Sequence, residues 1–119
     1  MINRKGYTLD DYQGDASSFA IYPTGSGVVN IGITYAILGL SSEVGELAGV
    51  LKKVHRDSDG VIDSDALEKM VKELGDILWY VAQVAAELDY DLSEIADLNT
   101  KKLKSRQKRG ALGGSGDDR

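Results

Sequence analysis

Two short stretches of this 119-residue chain carry the residues best suited to chemistry: Glu43-Val44-Gly45-Glu46-Leu47 and Glu73-Leu74-Gly75-Asp76-Ile77. Each holds two carboxylates three residues apart with a glycine between them. On a helix, positions i and i+3 share one face, so each stretch projects an acidic pair in one direction. The neighbours show which direction. Ala36, Leu40, Glu43, Leu47, Val50 and Val54 recur at alternating four- and three-residue steps, the spacing of a buried seam, and Met70, Glu73, Ile77, Tyr80 and Val84 do the same. A glutamate therefore interrupts each apolar stripe. An ionised carboxylate facing an apolar interior is costly unless it is paired or bound to a metal, and neither seam contains a basic residue.

Two such helices face to face gather Glu43, Glu46, Glu73 and Asp76 into a set of hard oxygen donors without Cys or His. That set suits Mg²⁺ or Mn²⁺ rather than zinc. Gly45 and Gly75 each cost about 1 kcal/mol relative to alanine inside a helix; close approach of the two backbones beside the acids would explain them. The competing reading is a solvated charged face that borders the core.

The elements that must position these acids follow from composition and punctuation. A single proline, few aromatics and plentiful Ala, Leu, Val, Glu and Lys predict an all-α chain of one domain, four-helix bundle-like, over residues 1–109, with a glycine-rich tail over 110–119. A net charge of −5 argues against general nucleic-acid binding. The absence of cysteine excludes a disulfide framework and a thiolate metal site. With no leader-like start and no apolar run of spanning length, the expectation is a cytoplasmic protein without a membrane partner.

The first helix is predicted over Leu9 to Tyr22, capped by Thr8 with Asp11, striped by Tyr12, Ala16, Phe19 and Ala20, and closed by Pro23. Thr24 to Gly32 reads as a glycine-rich connector; it lacks the Gly-Lys-Ser/Thr ending of a P-loop. A second helix covers Ile33 to Val54, with Lys52 and Lys53 favouring its dipole and the lone His55 on the surface at its end. Asp57 to Ser64 is a turn around Asp59-Gly60.

The third helix runs from Ser64 or Asp65 to Leu88. It carries a second stripe, Leu67, Val71, Leu74, Leu78, Val81, Ala85 and Leu88, broad enough to imply burial against a partner subunit. Trp79 points away from the acidic seam, into core or interface. Tyr80, one turn beyond Asp76, is either ordinary core or a ring that stacks on a base. Asp91-x-x-Glu94 opens a fourth helix through Ile95, Leu98 and Leu103 that turns basic at Lys101, Lys102, Lys104, Arg106, Lys108 and Arg109. That run is either a solvated helix end or a means of neutralising phosphate opposite the acidic cluster, with Arg forking onto its oxygens. The tail from Gly110 to Arg119 is a loose end or a strap that closes over a ligand.

Glu-x-x-Glu followed by Glu-x-x-Asp on consecutive helices resembles the MazG-like nucleoside triphosphate pyrophosphohydrolases, within the wider all-α NTP pyrophosphatases. The core motifs are Leu38-Gly39-Leu40-Ser41-Ser42-Glu43-Val44-Gly45-Glu46-Leu47 and Glu73-Leu74-Gly75-Asp76-Ile77-Leu78-Trp79-Tyr80. The later Asn99-x-x-Lys102-Leu103-x-x-Arg106, the Arg109-Gly110 pair and the Gly-Ser-Gly-Asp tail are similar to short single-domain members.

The resemblance implies that Glu43, Glu46, Glu73 and Asp76 bind Mg²⁺. It also implies cleavage of a nucleoside triphosphate between the α- and β-phosphates, giving monophosphate and pyrophosphate, in nucleotide-pool housecleaning or control. It places Tyr80 at a base-stacking position and Asn99, Lys102 and Arg106 near the phosphates, and it implies a homodimer or dimer-based homotetramer. Many relatives carry a further glutamate where this chain has Ser42, which leaves Glu43 or Glu46 to steer the attacking water. The alternative from another class is a non-catalytic helical interaction protein with a structural cation site.

Overall fold

Four helices make up the regular structure of residues 6–23 and 31–119, the residues that the computed structural model describes: α1 (Leu9–Ser17), α2 (Ile31–Ser58), α3 (Ser64–Glu87) and α4 (Leu92–Lys108). No strand occurs among the described residues. Local chemistry sets most of the boundaries. The Thr8 hydroxyl accepts from the Asp11 N–H at 3.0 Å, and the Thr8 N–H donates to the Asp11 carboxylate at 2.9 Å, closing the expected capping box. Asp63 caps α3 by accepting from the Ala66 N–H at 2.8 Å.

Three boundaries differ from expectation. Helix α1 stops at Ser17 rather than Tyr22. The Ser18 hydroxyl bonds back to the Asp15 carbonyl at 2.6 Å, and the Phe19 and Ala20 N–H groups reach carbonyls only three residues back, a tightening that ends the helix. Phe19 is 70% exposed and Ile21 97%, so another turn would have had nothing to pack against. At the other end of the connector, Gly32 belongs to α2, and Thr24 to Asn30 lie outside the described residues. Helix α2 also runs one turn past Val54, to Ser58, where Asp59 and Gly60 at φ 51° and 79° terminate it. His55 is exposed in that last turn, as expected.

Every seam position named on α2 and α3 is buried or half-buried, and Ala36 and Val54 are fully so. The two helices form an antiparallel hairpin whose register runs Gly32 against Glu87, Gly39 against Tyr80, and Glu43 against Glu73 and Asp76. Helix α3 is the hub. It packs against α2, α1 and α4, whereas neither α1 nor α4 packs on α2 among the described residues. The expected bundle is therefore not closed within one chain.

Where α1 crosses α3, Ala16, Ala82, Ala85 and Leu92 form the core with Tyr12, Trp79 and Val81 around them. The Trp79 indole N–H donates to the Ala16 carbonyl at 3.1 Å, which settles Trp79 as core. Gln13, buried on α1, clamps the α3–α4 link: its Nε2 donates to the Tyr90 carbonyl and its Oε1 accepts from the Leu92 N–H, both at 2.9 Å. Asp10 accepts from the N–H and hydroxyl of Ser93 in the first turn of α4.

The second stripe of α3 is open. Leu67, Val71 and Leu74 are 56%, 58% and 53% exposed, so no other described element of the chain buries them. The tail folds back on α4: the Arg106 Nη2 donates to the Gly116 and Asp117 carbonyls and to the Asp117 carboxylate. Arg119 donates to the Ala111, Leu112 and Gly116 carbonyls.

Candidate functional site

The hairpin register brings acids from two helices together. One carboxylate oxygen from each of Glu43, Glu73 and Asp76 lies within 4.8 Å of the others. Glu43 and Glu73 are half-buried and Asp76 is exposed, so the group sits at the edge of the seam and opens to solvent. None of the three is ion-paired among the described residues. Burial, then the charge of Asp76, then a hydrogen bond shared with Glu73 push the Glu43 carboxyl above its ordinary range, with Glu46 adding a smaller repulsion. Unneutralised acids held this close favour a proton on one of them, or a cation among them.

Glu46, the fourth expected member, is exposed and lies outside that three-oxygen group, though near enough to act on Glu43. Ser42 is exposed beside Glu43. Gly45 and Gly75 correct the expectation of close backbones: a Cβ built on either meets nothing within 4 Å. Each stands two residues beyond a seam glutamate, about 200° around the helix, and so faces away from the seam.

The close approach occurs instead at Gly39, one turn before Glu43. A Cβ there would lie 2.2–2.8 Å from three carbons of the Tyr80 ring, so only glycine admits that ring so close to α2. Tyr80 packs edge-on against Trp79 at 4.9 Å. Its hydroxyl pKa is raised by burial first, then by Tyr35 and by Glu43. From α1, Tyr12 reaches the same acids; burial and then the Asp76 charge raise its pKa.

Further along the seam, Tyr22 stacks on Tyr35 with centroids 5.1 Å apart and planes 12° from parallel. Its hydroxyl donates to Glu87 at 3.0 Å, and burial with that bond pushes its pKa up to about 12. Glu87 lies against Gly32 in the first turn of α2, where a carboxylate complements the helix dipole. Gln83, between Tyr80 and Glu87 on α3, is buried with its Nε2 unpartnered. Tyr12, Tyr22, Tyr35 and Gln83 were not visible as site residues in the sequence, because only the hairpin register and the path of residues 18–23 bring Tyr12 to Asp76, Tyr35 to Tyr80 and Tyr22 to Glu87.

The α4 residues are placed differently. Asn99 is exposed. Lys102 and Arg106 both meet the Asp117 carboxylate, at 3.1 and 3.2 Å, and Arg106 is buried under the tail. Since α4 does not pack on α2, these cations are not brought opposite the acids within one chain. A surface cleft lined by Asp10, Gln13 and Tyr90 shares no residue with the acidic group. Its polar groups already bond across the α3–α4 link.

Comparison with known proteins shows the family. The profile of the MazG nucleotide pyrophosphohydrolase domain matches residues 33–111, from the start of the first acidic helix into the tail. The Gene 37 protein of Mycobacterium phage L5 is 46% identical over 112 residues, covering 93% of this chain and 98% of that protein. No solved structure matches the chain significantly.

Proposed function

The chain belongs to the MazG nucleotide pyrophosphohydrolase family, and from that premise we propose that it hydrolyses nucleoside triphosphates between the α- and β-phosphates with Mg²⁺ or Mn²⁺ as cofactor. The observation that carries the reading is the trio of carboxylate oxygens from Glu43, Glu73 and Asp76, gathered within 4.8 Å and, among the described residues, without an ion-pairing cation. The donor set fits the ion: three hard oxygens, open on one side, leave positions for water and phosphate. When bound there, a divalent ion offsets phosphate charge and acidifies water near the α-phosphorus.

The residues of the chain supply the rest. Glu43, Glu73 and Asp76 hold the cofactor, and Glu43 or Glu46 takes the proton of the attacking water. That water forms a bond to the α-phosphorus while the bond to the β-bridging oxygen breaks. Pyrophosphate departs with the electron pair and nucleoside monophosphate remains. Tyr80, seated one turn from Asp76, stacks on the base. Asn99 and Lys102, both exposed, serve the phosphates from α4 of another copy, since within one chain α4 does not reach α2, while Arg106 stays buried and holds the tail against α4. The open stripe of Leu67, Val71 and Leu74 supports that assembly, a homodimer or homotetramer. The biological task we assign is housecleaning or control of nucleotide pools in the cytoplasm.

Incubating the protein with a panel of ribo- and deoxyribonucleoside triphosphates, with Mg²⁺ or with EDTA, tests this directly. Monophosphate and pyrophosphate should appear only with the ion, and Glu73→Ala should abolish them while leaving helicity unchanged. Release of orthophosphate, or parental turnover by Glu73→Ala, refutes the assignment. Mg²⁺-dependent stabilisation without any hydrolysis would instead identify a cation-binding interaction protein.

A further inference from the structure

Gln83 is 2% exposed and the bulkiest of the fully buried side chains among the described residues, yet its Nε2 has no hydrogen-bond partner. Buried donors are seldom left unpaired in native proteins without a use for the group. The position of Gln83 suggests one. It follows Asp76 by seven residues and Tyr80 by three, so all three share one side of α3.

Tyr22 reaches α3 one turn on either side of Gln83. The Tyr22 ring meets Trp79, one turn before Gln83, edge-on at 6.3 Å, and its hydroxyl donates to Glu87, one turn after, at 3.0 Å. The ring thus bridges the turns that flank Gln83, with Tyr35 stacked on it at 5.1 Å. A flat ring in a stack, bridging the turns around a buried amide, with its stacking partner Tyr35 close to Tyr80, has the shape and setting of a nucleobase. Tyr22 is held by its side chain alone: it sits beyond the end of α1, outside any helix, between exposed Ile21 and exposed Pro23.

We infer that the Tyr22 ring is a built-in stand-in for the substrate's base, and that Gln83 is a specificity-determining residue whose carboxamide N–H meets a base carbonyl when the base takes that ring's place. The inference rests on the proposed hydrolysis of nucleoside triphosphates. An amide N–H selects for an acceptor. Uracil, thymine, cytosine and guanine present a carbonyl oxygen; adenine presents none. Tyr35 supplies the stacking face that Tyr22 now occupies.

The test compares kcat/KM for dUTP, dTTP, dCTP and dGTP with that for dATP, in the parent, Gln83→Leu, Gln83→Met and Tyr22→Ala. Nucleotide-free melting of each variant is measured alongside. The parent should favour at least one carbonyl-bearing base over adenine by about tenfold or more, the scale of one buried hydrogen bond to a group otherwise left unpaired. That ratio should collapse in both Gln83 variants, while their melting temperatures hold or rise because an unpaired donor has been removed. Tyr22→Ala should lower KM for the favoured nucleotide. The inference is overturned by a parent that takes dATP equally well, or by Gln83 variants that keep the parental ratio. Loss of stability and of all activities together would also overturn it, since that marks a purely structural glutamine. A parent that releases no pyrophosphate from any nucleotide would refute the proposed reaction itself, a different result from any of these.

Discussion

Alanine at Gly39 and alanine at Gly75 should move stability in opposite directions, although both glycines lie inside helices. At Gly75 a Cβ meets nothing within 4 Å, so only the backbone term changes, a gain of about 1 kcal/mol from helix propensity. At Gly39 the same gain is opposed. The new carbon would stand 2.2 Å from the nearest atom of the Tyr80 ring, against an optimum near 3.5 Å, so the ring must retreat by about 1.3 Å. Trp79, edge-on at 4.9 Å, stands in the way of that retreat. Overpacking of this kind costs about 1–3 kcal/mol, which leaves Gly39→Ala about 0–2 kcal/mol less stable than the parent and about 1–3 below Gly75→Ala.

Urea melts of the two variants and of Gly39→Ala/Tyr80→Ala measure this. With the ring removed, Gly39→Ala should recover the sign of Gly75→Ala. In turnover, Gly39→Ala should raise KM more than it lowers kcat, because the ring it displaces is proposed to meet the base rather than the reacting phosphorus. Equal shifts at the two glycines, or a Gly39 effect that survives loss of the ring, would refute the argument.

Three further outcomes follow from particular contacts. The Glu43 carboxyl lies above its ordinary value of 4.5 in the fold, so its protonated form is the one folding favours. In EDTA that contribution is complete below about pH 4.5 and is lost as pH rises through the folded value. The parent minus Glu43→Gln difference in melting temperature should therefore fall across that window, and added Mg²⁺ at neutral pH should restore it. Gln13→Leu leaves the Tyr90 carbonyl and the Leu92 N–H without their partners, at about 1–3 kcal/mol for each group that stays buried; a shift in urea stability under about 0.5 kcal/mol would show that Gln13 is no clamp. Arg106→Ala should release residues 110–119 to hydrogen exchange. Lys102→Ala should not, because its ion pair to the 81%-exposed Asp117 side chain is solvent-screened.

Much of this arrangement was legible in the sequence. The two seams were, because a stripe read at four- and three-residue steps needs no tertiary information, and the caps at Thr8 and Asp91 were equally local. The end of α1 was obscured by Pro23, a loud stop signal that drew attention past the quieter Ser17-Ser18 pair. For Gly45 and Gly75 the information was present but outweighed. Their propensity cost suggested a packing reason, while their angle, two residues beyond a seam acid, already placed them off the seam. Gln13 and Gln83 could not be found, since glutamine in a helix ordinarily faces water and only packing across the chain reverses that. The same holds for Arg106, whose partners sit ten and eleven residues on, in a tail without helical period.

Why the hairpin tolerates three unneutralised acids at its middle follows from what flanks them. Above the group the seam runs through Leu40 and Ala36 against Tyr80 and Val84; below it, through Leu47, Val50 and Val54 against Met70, all buried or half-buried. Apolar burial on both sides fixes the register without help from the acids, at roughly 25 cal/mol for each Å² removed from water. The carboxylates are thus held together by packing they do not contribute to, and their repulsion is retained in the folded chain. A cation entering the group relieves repulsion that already exists, and no rearrangement is needed to create its ligands. Acid-to-amide variants should accordingly make the metal-free protein more stable while abolishing its response to Mg²⁺, the inverse relation expected where a site is built at the expense of the fold.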